Sequence, residues 1–234
     1  MILFIIRHGD PIYETDSLTK KGLMQAEALP RRLAMHGIDE IYSSPMGRAR
    51  LTAKPTAELL NLNIHIEEWM SESLAWDDLS IIDENGDKTW FFSKHNEILA
   101  NDDPTRPDWY NHPAAKICDK AKIGYERIQA ASDEFLKRLG YERHGRVYNI
   151  LDANHKRIAV FCHGGLGLTW LSHLLSMPPL IFWSGFDISH SGITIIEFAN
   201  HNTGITSPLC LAFSDLSHIY ESGLPLEHNN RLKL

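Results

Sequence analysis

Two stretches of the chain are apolar without alternation, and each ends on histidine and glycine. Met1 to Ile6 runs directly into Arg7-His8-Gly9, and Ile158 to Cys162, entered from Arg157, runs into His163-Gly164-Gly165. An unbroken apolar run rich in Ile and Val reads as a strand covered on both faces, the usual state in a parallel sheet. Open sheets of that kind bind ligands just beyond the carboxyl ends of their strands. Arg7, His8 and His163 occupy that place, and Gly9 permits a turn and a close approach of ligand to backbone.

The remaining pattern supplies the elements between these strands. Thr19 is a suitable N-cap for a helix from Lys20 to about His36, with Leu23, Ala26, Leu33 and Ala34 on its apolar side and Gly37 as its stop. Pro30 should kink or divide it. Glu40 to Ser43 reads as a second strand, and Met46 to Leu60 as a second helix with Pro55 in conflict. Asn63 to Glu67 alternates as a third strand. From Glu68 to about Pro113 periodicity is lost while Trp69, Trp76, Trp90 and Trp109 gather among Asp, Asn and Pro. A loop of that length with that aromatic content suits a substrate lid or packed cap rather than disorder. A helical pattern resumes from Ala114 to Leu139, with Ile117, Ile128, Ala131, Phe135 and Leu139 as core candidates, and Gly140 ends it. A helix from Leu166 to Leu175 follows the second apolar strand. Ile193 to Phe198 and Leu209 to Phe213 form an expected antiparallel edge pair, and the tail after Ser222 looks loosely held.

Alternation of strand and helix implies parallel pairing with right-handed crossovers. The expected fold is therefore α/β, a three-layer α/β/α sandwich with a mostly parallel central sheet, an antiparallel edge strand and an inserted lid. It is read as one domain over residues 1–234 with the insertion at 69–140.

The 234 residues are 43% hydrophobic with a formal net charge of −7, enough for a large core and against a broad nucleic-acid surface. No apolar run reaches the roughly 18–20 residues of a membrane helix, and no signal-peptide pattern opens the chain. A cytoplasmic protein without nucleic-acid or membrane partners is expected. Cys118, Cys162 and Cys210 are few and scattered, so neither a disulfide framework nor a zinc knuckle is indicated. Cys162 is read as core packing rather than as a nucleophile beside His163. Thirteen histidines show no ligand spacing; His112, His144 and His155 could meet substrate in the lid, but each alone is read as exposed. No metal or cofactor is expected.

If the strand ends share one edge, His8 and His163 face each other. Ser43-Ser44-Pro45-Met46-Gly47-Arg48-Ala49-Arg50 leaves the second strand by the same edge, which would project Arg48 toward Arg7 at a helix N-terminus favourable to anions. Two histidines, two arginines and a helix N-terminus suit a phosphate dianion. Arg50 is read as a surface ion pair.

Arg7-His8-Gly9, Leu18-Thr19 with Gly22, Ser43-Ser44-Pro45 with Arg48-Ala49, Phe161-Cys162-His163-Gly164 and the late Asp215-Leu216-Ser217-His218 together resemble the histidine phosphatase superfamily, in its phosphoglycerate-mutase-like branch, over most of the chain. The resemblance implies a metal-independent phosphomonoesterase acting on a small phosphorylated metabolite through a phosphohistidine on His8. Arg7 and Arg48 would clamp the phosphoryl oxygens, His163 would donate to one of them, and Gly9 and Gly164 would border the substrate. A glutamate after the third strand often serves as the acid in the family. Glu72 holds that position, with Asp77, Asp78 and Glu84 as competitors. The first loop is short and lacks the family's phosphate-reaching asparagine. Ser17 could replace that donor, or Ser17 or Thr19 could cap the following helix. Asp10 should turn away from a phosphate. A phosphomutase and a non-catalytic phosphate-binding regulator remain alternatives, as does, more remotely, a metal-dependent hydrolase. The substrate itself and the oligomeric state are not legible.

Overall fold

The computed structural model describes residues 1–229, 231 and 232. The first apolar run forms β1 (Ile2–Arg7), and after a short pair, β2 (Pro11–Ile12) and β3 (Ser17–Leu18), comes α1 (Lys20–Ala34). Then follow β4 (Glu40–Ser43), α2 (Gly47–Leu60) and β5 (Ile64–Ile66). The middle of the chain builds α3 (Glu72–Leu79), the hairpin β6 (Ser80–Ile82) and β7 (Lys88–Trp90), α4 (His95–Asn101), α5 (Pro113–Lys116) and α6 (Ala121–Arg138). A second hairpin, β8 (Tyr141–His144) and β9 (Val147–Ile150), leads to β10 (Arg157–Cys162), α7 (Gly164–Leu174) and α8 (Pro179–Gly185). The chain closes with β11 (Ile193–Glu197), β12 (Ile205–Thr206), β13 (Leu209–Asp215) and α9 (Ser217–Glu221).

Among the described residues the main sheet has six strands in the order β13-β11-β1-β10-β4-β5. β5, β4, β10 and β1 run parallel, and β11 is antiparallel to both β1 and the edge strand β13. Successive side chains of a strand point to opposite faces, which divides the core in two. Leu3, Ile5, Ile158 and Val160 pack with Leu166, Trp170 and Phe135 from α7 and α6. Phe4, Ile6, Ala159 and Phe161 pack with Leu29, Leu33 and Ala53 from α1 and α2. This is the three-layer α/β/α arrangement.

Register does the positioning. Arg7 pairs with Cys162 and Phe161 with Ser43, so His8, His163 and Ser44 each stand one step past the last paired residue on adjacent strands. The His8 amide donates to Cys162 O at 2.9 Å and the Ser44 amide to Phe161 O at 2.9 Å, which extends the ladder one residue past the strand ends.

Several expectations are corrected. α1 runs unbroken through Pro30, as α2 does through Pro55, since a proline deletes a single donor and Pro30 is itself buried. The inward stripe of α1 is Gly22, Gln25, Ala26, Leu29, Pro30 and Leu33. Leu23 lies off it and is exposed. Residues 68–113 are not irregular. They form short elements whose Phe91, Phe92 and Trp109 are buried with Trp183 of α8 in the same core as α7. The helical pattern of 114–139 divides into α5 and α6, leaving Ile117 between them and half exposed. β8 and β9, with Tyr141 and Tyr148 fully buried against Phe198, carry no clean alternation and escape a sequence reading. Of the described residues beyond Ser222, Glu227 is held by Lys21 at 2.6 Å and Asn229 by Asp187 at 2.9 Å.

The first loop is held by contact between two glycines. A Cβ on Gly9 would lie 2.6 Å from Gly22 O, and one on Gly22 would overlap Asp10 O. Gly22→Ala must therefore shift the loop after β1 or the start of α1. Denaturant unfolding should show a loss of about 1–3 kcal/mol, the scale of overpacking. A variant as stable as the parent would show that this contact yields freely.

Candidate active site

His8 lies at the centre of the cluster. Its side chain is fully buried, with the His163 ring centroid at 5.1 Å and that of His190 at 5.8 Å. His8 Nδ1 lies 2.7 Å from Gly9 O, and Arg48 Nε donates to His8 Nε2 at 3.2 Å. A guanidinium can only donate. Nε2 is therefore the unprotonated nitrogen, and Nδ1 carries the proton and donates it to Gly9 O. Burial, reinforced by His163 and Arg7, pushes the His8 imidazole well below its ordinary range. A neutral ring whose tautomer leaves Nε2 unprotonated is what a nucleophilic imidazole requires.

Arg48, one residue into α2, is buried and gathers three partners. Besides His8, it donates from Nη1 to Asp16 Oδ1 at 2.6 Å and from Nη2 to Glu72 Oε2 at 3.1 Å. Glu72 opens α3, and its other oxygen accepts from the Gly165 amide at the start of α7 at 2.9 Å. It lies 3.5 Å from His163 Nδ1 without hydrogen-bond geometry. The competitors fall away from this cluster: Asp77 is exposed and paired with Lys88, Asp78 is held by Arg127, and Glu84 is exposed beyond β6.

His163 Nε2 lies 2.7 Å from Ser44 Oγ, and burial followed by Arg48 and Arg7 holds its imidazole well below the usual range. Arg7 donates from Nη1 to Ile188 O at 2.5 Å and to Asn229 Oδ1 at 2.9 Å. Its guanidinium lies against Gly164, where a Cβ would sit 3.0 Å from Cζ. Three buried atoms around His8 have no hydrogen-bond partner among the described residues: Arg7 Nε, His163 Nδ1 and His190 Nε2. Buried polar atoms are seldom left unmet, and these three surround one imidazole beside two guanidiniums. The arrangement fits a tetrahedral anion.

The first loop departs from expectation. Ser17 does not reach the cluster, because its hydroxyl pairs with Thr15 Oγ1 at 2.7 Å. Asp16 arrives instead, in a left-handed turn at φ 47°, and takes both Arg48 and the Gly47 amide at 2.5 Å. The α2 N-terminus is thus partly occupied by a carboxylate of the chain itself. Thr19 is the helix cap, accepting from the Gly22 amide at 3.0 Å. Gly9 does not offer its amide, which Thr52 Oγ1 accepts at 3.0 Å. Asp10 turns to Thr19 Oγ1 at 2.7 Å and faces His190 Nδ1 at 3.5 Å.

Other residues part from or meet their simple readings. His112 is buried, its Nδ1 capping α5 through the Ala114 amide at 3.1 Å, whereas His144 and His155 are exposed. Cys162 is buried in the core, its thiol pushed up to about 12 by burial. Arg50 is exposed and pairs with no described acid. His190, Asn229 and Asp16 escaped the sequence reading. None belongs to a strand-end motif, though an aspartate two residues before Leu18 in the loop after β1 was a signal available to a closer look.

Two cavities flank the cluster and share Tyr13 and Trp90. One of about 510 Å³ is bordered by Arg48 and Glu72, the other of about 450 Å³ by Arg7 and His190. A third of about 460 Å³, near Tyr110, Lys122 and Arg143, includes none of the residues around His8. No helix among the described residues is long and apolar enough to cross a membrane.

A model of the histidine phosphatase superfamily (branch 1) matches residues 3–208. A protein of Hydrogenobacter thermophilus, provisionally described as phosphoserine phosphatase 2, is 22% identical over 173 residues, covering 70% of this chain and 73% of that one. Phosphoserine phosphatase from Entamoeba histolytica, solved with 3-phosphoglyceric acid, superposes with a TM-score of 0.61 at 23% identity, over 93% of this chain and 98% of that chain. Mycobacterial glucosyl-3-phosphoglycerate phosphatase, solved with VO3, gives 0.57 at 18% identity over 91% and 98%. At these identities the structural likenesses establish the fold.

The buried imidazoles make stability depend on pH. Burial, then Arg7, lowers His190 to about 3, against an unfolded value near 6.5. Its contribution is complete above about pH 6.5 and drains away as pH falls toward 3, because the unfolded chain takes up the proton first. Replacing it, as in His190→Gln, should flatten the fall of unfolding free energy between pH 6 and 4.5 by about 1.4 kcal/mol per pH unit. Equal slopes for variant and parent would contradict a neutral buried His190.

Proposed function

The chain belongs to branch 1 of the histidine phosphatase superfamily, and from that premise we propose that it is a metal-independent phosphomonoesterase working through a phosphohistidine on His8. The observation that carries this reading is the gathering of unpartnered buried nitrogens beside the His8 ring. Arg7 Nε and His163 Nδ1 lack partners, and Arg48 stands within 3.2 Å of the nucleophilic nitrogen.

In this mechanism the phosphoryl group of a monoester enters between Arg7 and Arg48, whose planar guanidiniums bind oxygens in pairs as lysine could not. Its arrival displaces Arg48 from His8 Nε2 and frees that lone pair. Nε2 attacks phosphorus in line, forming P–N while the ester P–O bond breaks, and Gly9 O stabilises the charge that develops on the ring through Nδ1–H. His163 Nδ1 donates to an equatorial oxygen, with the Ser44 hydroxyl donating to Nε2 to hold that tautomer. Preorganised donors of this kind typically contribute on the order of a hundredfold or more each. Glu72 in its acid form protonates the leaving oxygen. As carboxylate it then takes a proton from water, which attacks phosphorus, breaks P–N and releases inorganic phosphate.

A competing reading has its own observation. One ligand atom from each of His8, Glu72 and His163 lies within 4.8 Å of the others, a spacing that could hold a divalent ion.

Phosphate release from 4-nitrophenyl phosphate in excess chelator should proceed at full rate, and His8→Ala should reduce it to background. Loss of activity in chelator, restored by one metal ion, would transfer the assignment to the metal reading. Glu72→Gln should slow an alkyl phosphate by roughly a hundredfold or more but the nitrophenyl ester much less, since nitrophenolate leaves without a proton. Equal losses on the two esters would remove Glu72 from the acid's role. With 3-phosphoglycerate, an isomer formed faster than inorganic phosphate would make the enzyme a mutase.

A further inference from the structure

We propose that the alcohol released by this phosphatase is uncharged and apolar, with a ring or a comparable hydrocarbon body, and that it occupies the cavity between Tyr13, Met46, Trp76 and Trp90. The inference rests on the assignment of Glu72 as the acid above. A leaving oxygen must lie within hydrogen-bond reach of its proton donor. Glu72 borders the cavity of about 510 Å³ and not the one on the Arg7 side, so the group attached to that oxygen departs into the former.

The walls of that cavity are two indoles, a phenol ring and a thioether, with Ser73 as the one neutral polar side chain. Its charged lining residues are Arg48 and Glu72, and they already hold each other at 3.1 Å while Asp16 takes the remaining arm of Arg48 at 2.6 Å. Lys88 lies over the Trp76 ring at 5.4 Å, but Asp77 takes its charge at 2.9 Å. A carboxylate on the leaving group would therefore find no lining cation to spare once Arg48 holds the phosphoryl group. An apolar group would replace water against aromatic surface.

The wall is also fixed before any substrate arrives. Trp90 stacks on Phe92 at 5.1 Å and meets Trp76 edge-on at 4.7 Å. Its indole lies so close to Gly165 that a Cβ there would stand 2.6 Å from Cη2 and closer still to Cζ2. Gly165 is the residue whose amide holds Glu72. One backbone position thus sets both the proton donor and the aromatic wall beside it, and such preorganisation lowers the cost of binding.

The experiment compares alkyl esters of similar intrinsic reactivity, so that leaving-group acidity does not decide the outcome. With the full chain in chelator, kcat/KM for phenethyl phosphate should exceed that for phosphoserine and for 3-phosphoglycerate by about tenfold or more, the worth of one good aromatic contact. Trp76→Ala should bring the ratio down several-fold, and Ser73→Arg should lower it by raising 3-phosphoglycerate. Calorimetric binding reads the cavity without turnover: phenethylphosphonate should bind more tightly than carboxyethylphosphonate. A preference for the carboxylate-bearing substrates that Trp76→Ala leaves in place, or tighter carboxyethylphosphonate binding, overturns this inference while the phosphatase assignment stands. Absence of phosphate release from every ester, with phenethylphosphonate still preferred, overturns the phosphatase assignment and leaves the character of the cavity intact.

Discussion

A guanidinium taken out of water must be paired, because an uncompensated buried charge costs several kcal/mol. Arg48, with its side chain 5% exposed, imposes that requirement on the molecule. Satisfying it draws together both ends of the loop after β1, through His8 and Asp16, and the distant start of α3 through Glu72. The left-handed turn at Asp16, tolerated by aspartate better than by most residues, has its use here, since it aims the carboxylate at Arg48 and Gly47. Glu72 in turn reaches past Arg48 to the Gly165 amide. One buried cation thereby sets the separation between β1, α2, α3 and α7 at the point where they all meet.

The sheet contributes a second constraint, which is register. Because β1 and β10 are neighbours in parallel and end together, His8 and His163 are brought side by side without any contact of their own being needed. This was legible in the sequence because buried parallel strands are continuous apolar runs, and both runs end on the same pair of residue types. The two arginines and Glu72 were also legible, through family-like spacing. What was hidden depends on contacts that a one-dimensional pattern does not encode. Ser17 and Asp16 are adjacent, and only the left-handed backbone decides which of them points inward. His190 belongs to a loop before β11, and Asn229 to a tail whose polar composition suggests nothing of its bonds to Arg7 and Asp187. The hairpin of β8 and β9 buries two tyrosines among charged neighbours, so its alternation is masked. Pro30 and Pro55 were over-read as breakers, since one missing donor in a helix buried on its inner face is outweighed by packing.

The segment between β5 and α6 follows a different logic from the sheet. Its short elements would be marginal alone, but Phe91, Phe92 and Trp109 are buried with Trp183, so the segment is anchored by its own aromatic cluster onto α8. Trp76 and Trp90 extend from that cluster to the cavity bordered by Arg48 and Glu72. Arg7, His8, Arg48 and His163 are thus carried by the sheet and the helices that follow it, while the aromatic wall of Trp76 and Trp90 is carried by a separately anchored segment. Changes in the second need not disturb the first, which is how a shared phosphate chemistry can accompany different leaving groups.

The same charge distribution argues for an anion over a divalent cation at His8. A metal seated among His8, Glu72 and His163 needs a free lone pair from each. His8 Nε2 has a single lone pair and it already accepts from Arg48, and Glu72 Oε2 accepts from the same guanidinium. Filling the site with a cation would expel Arg48 from two of its three partners and place a second positive charge beside it and near Arg7. A phosphoryl group makes the opposite exchange. It supplies acceptors to Arg48 in place of those withdrawn, meets the unpartnered Arg7 Nε and His163 Nδ1, and leaves the neutral imidazole free to act. The unpartnered nitrogens of Arg7 and His163 can both donate to an oxygen anion, which is what favours an anion over a cation beside two arginines.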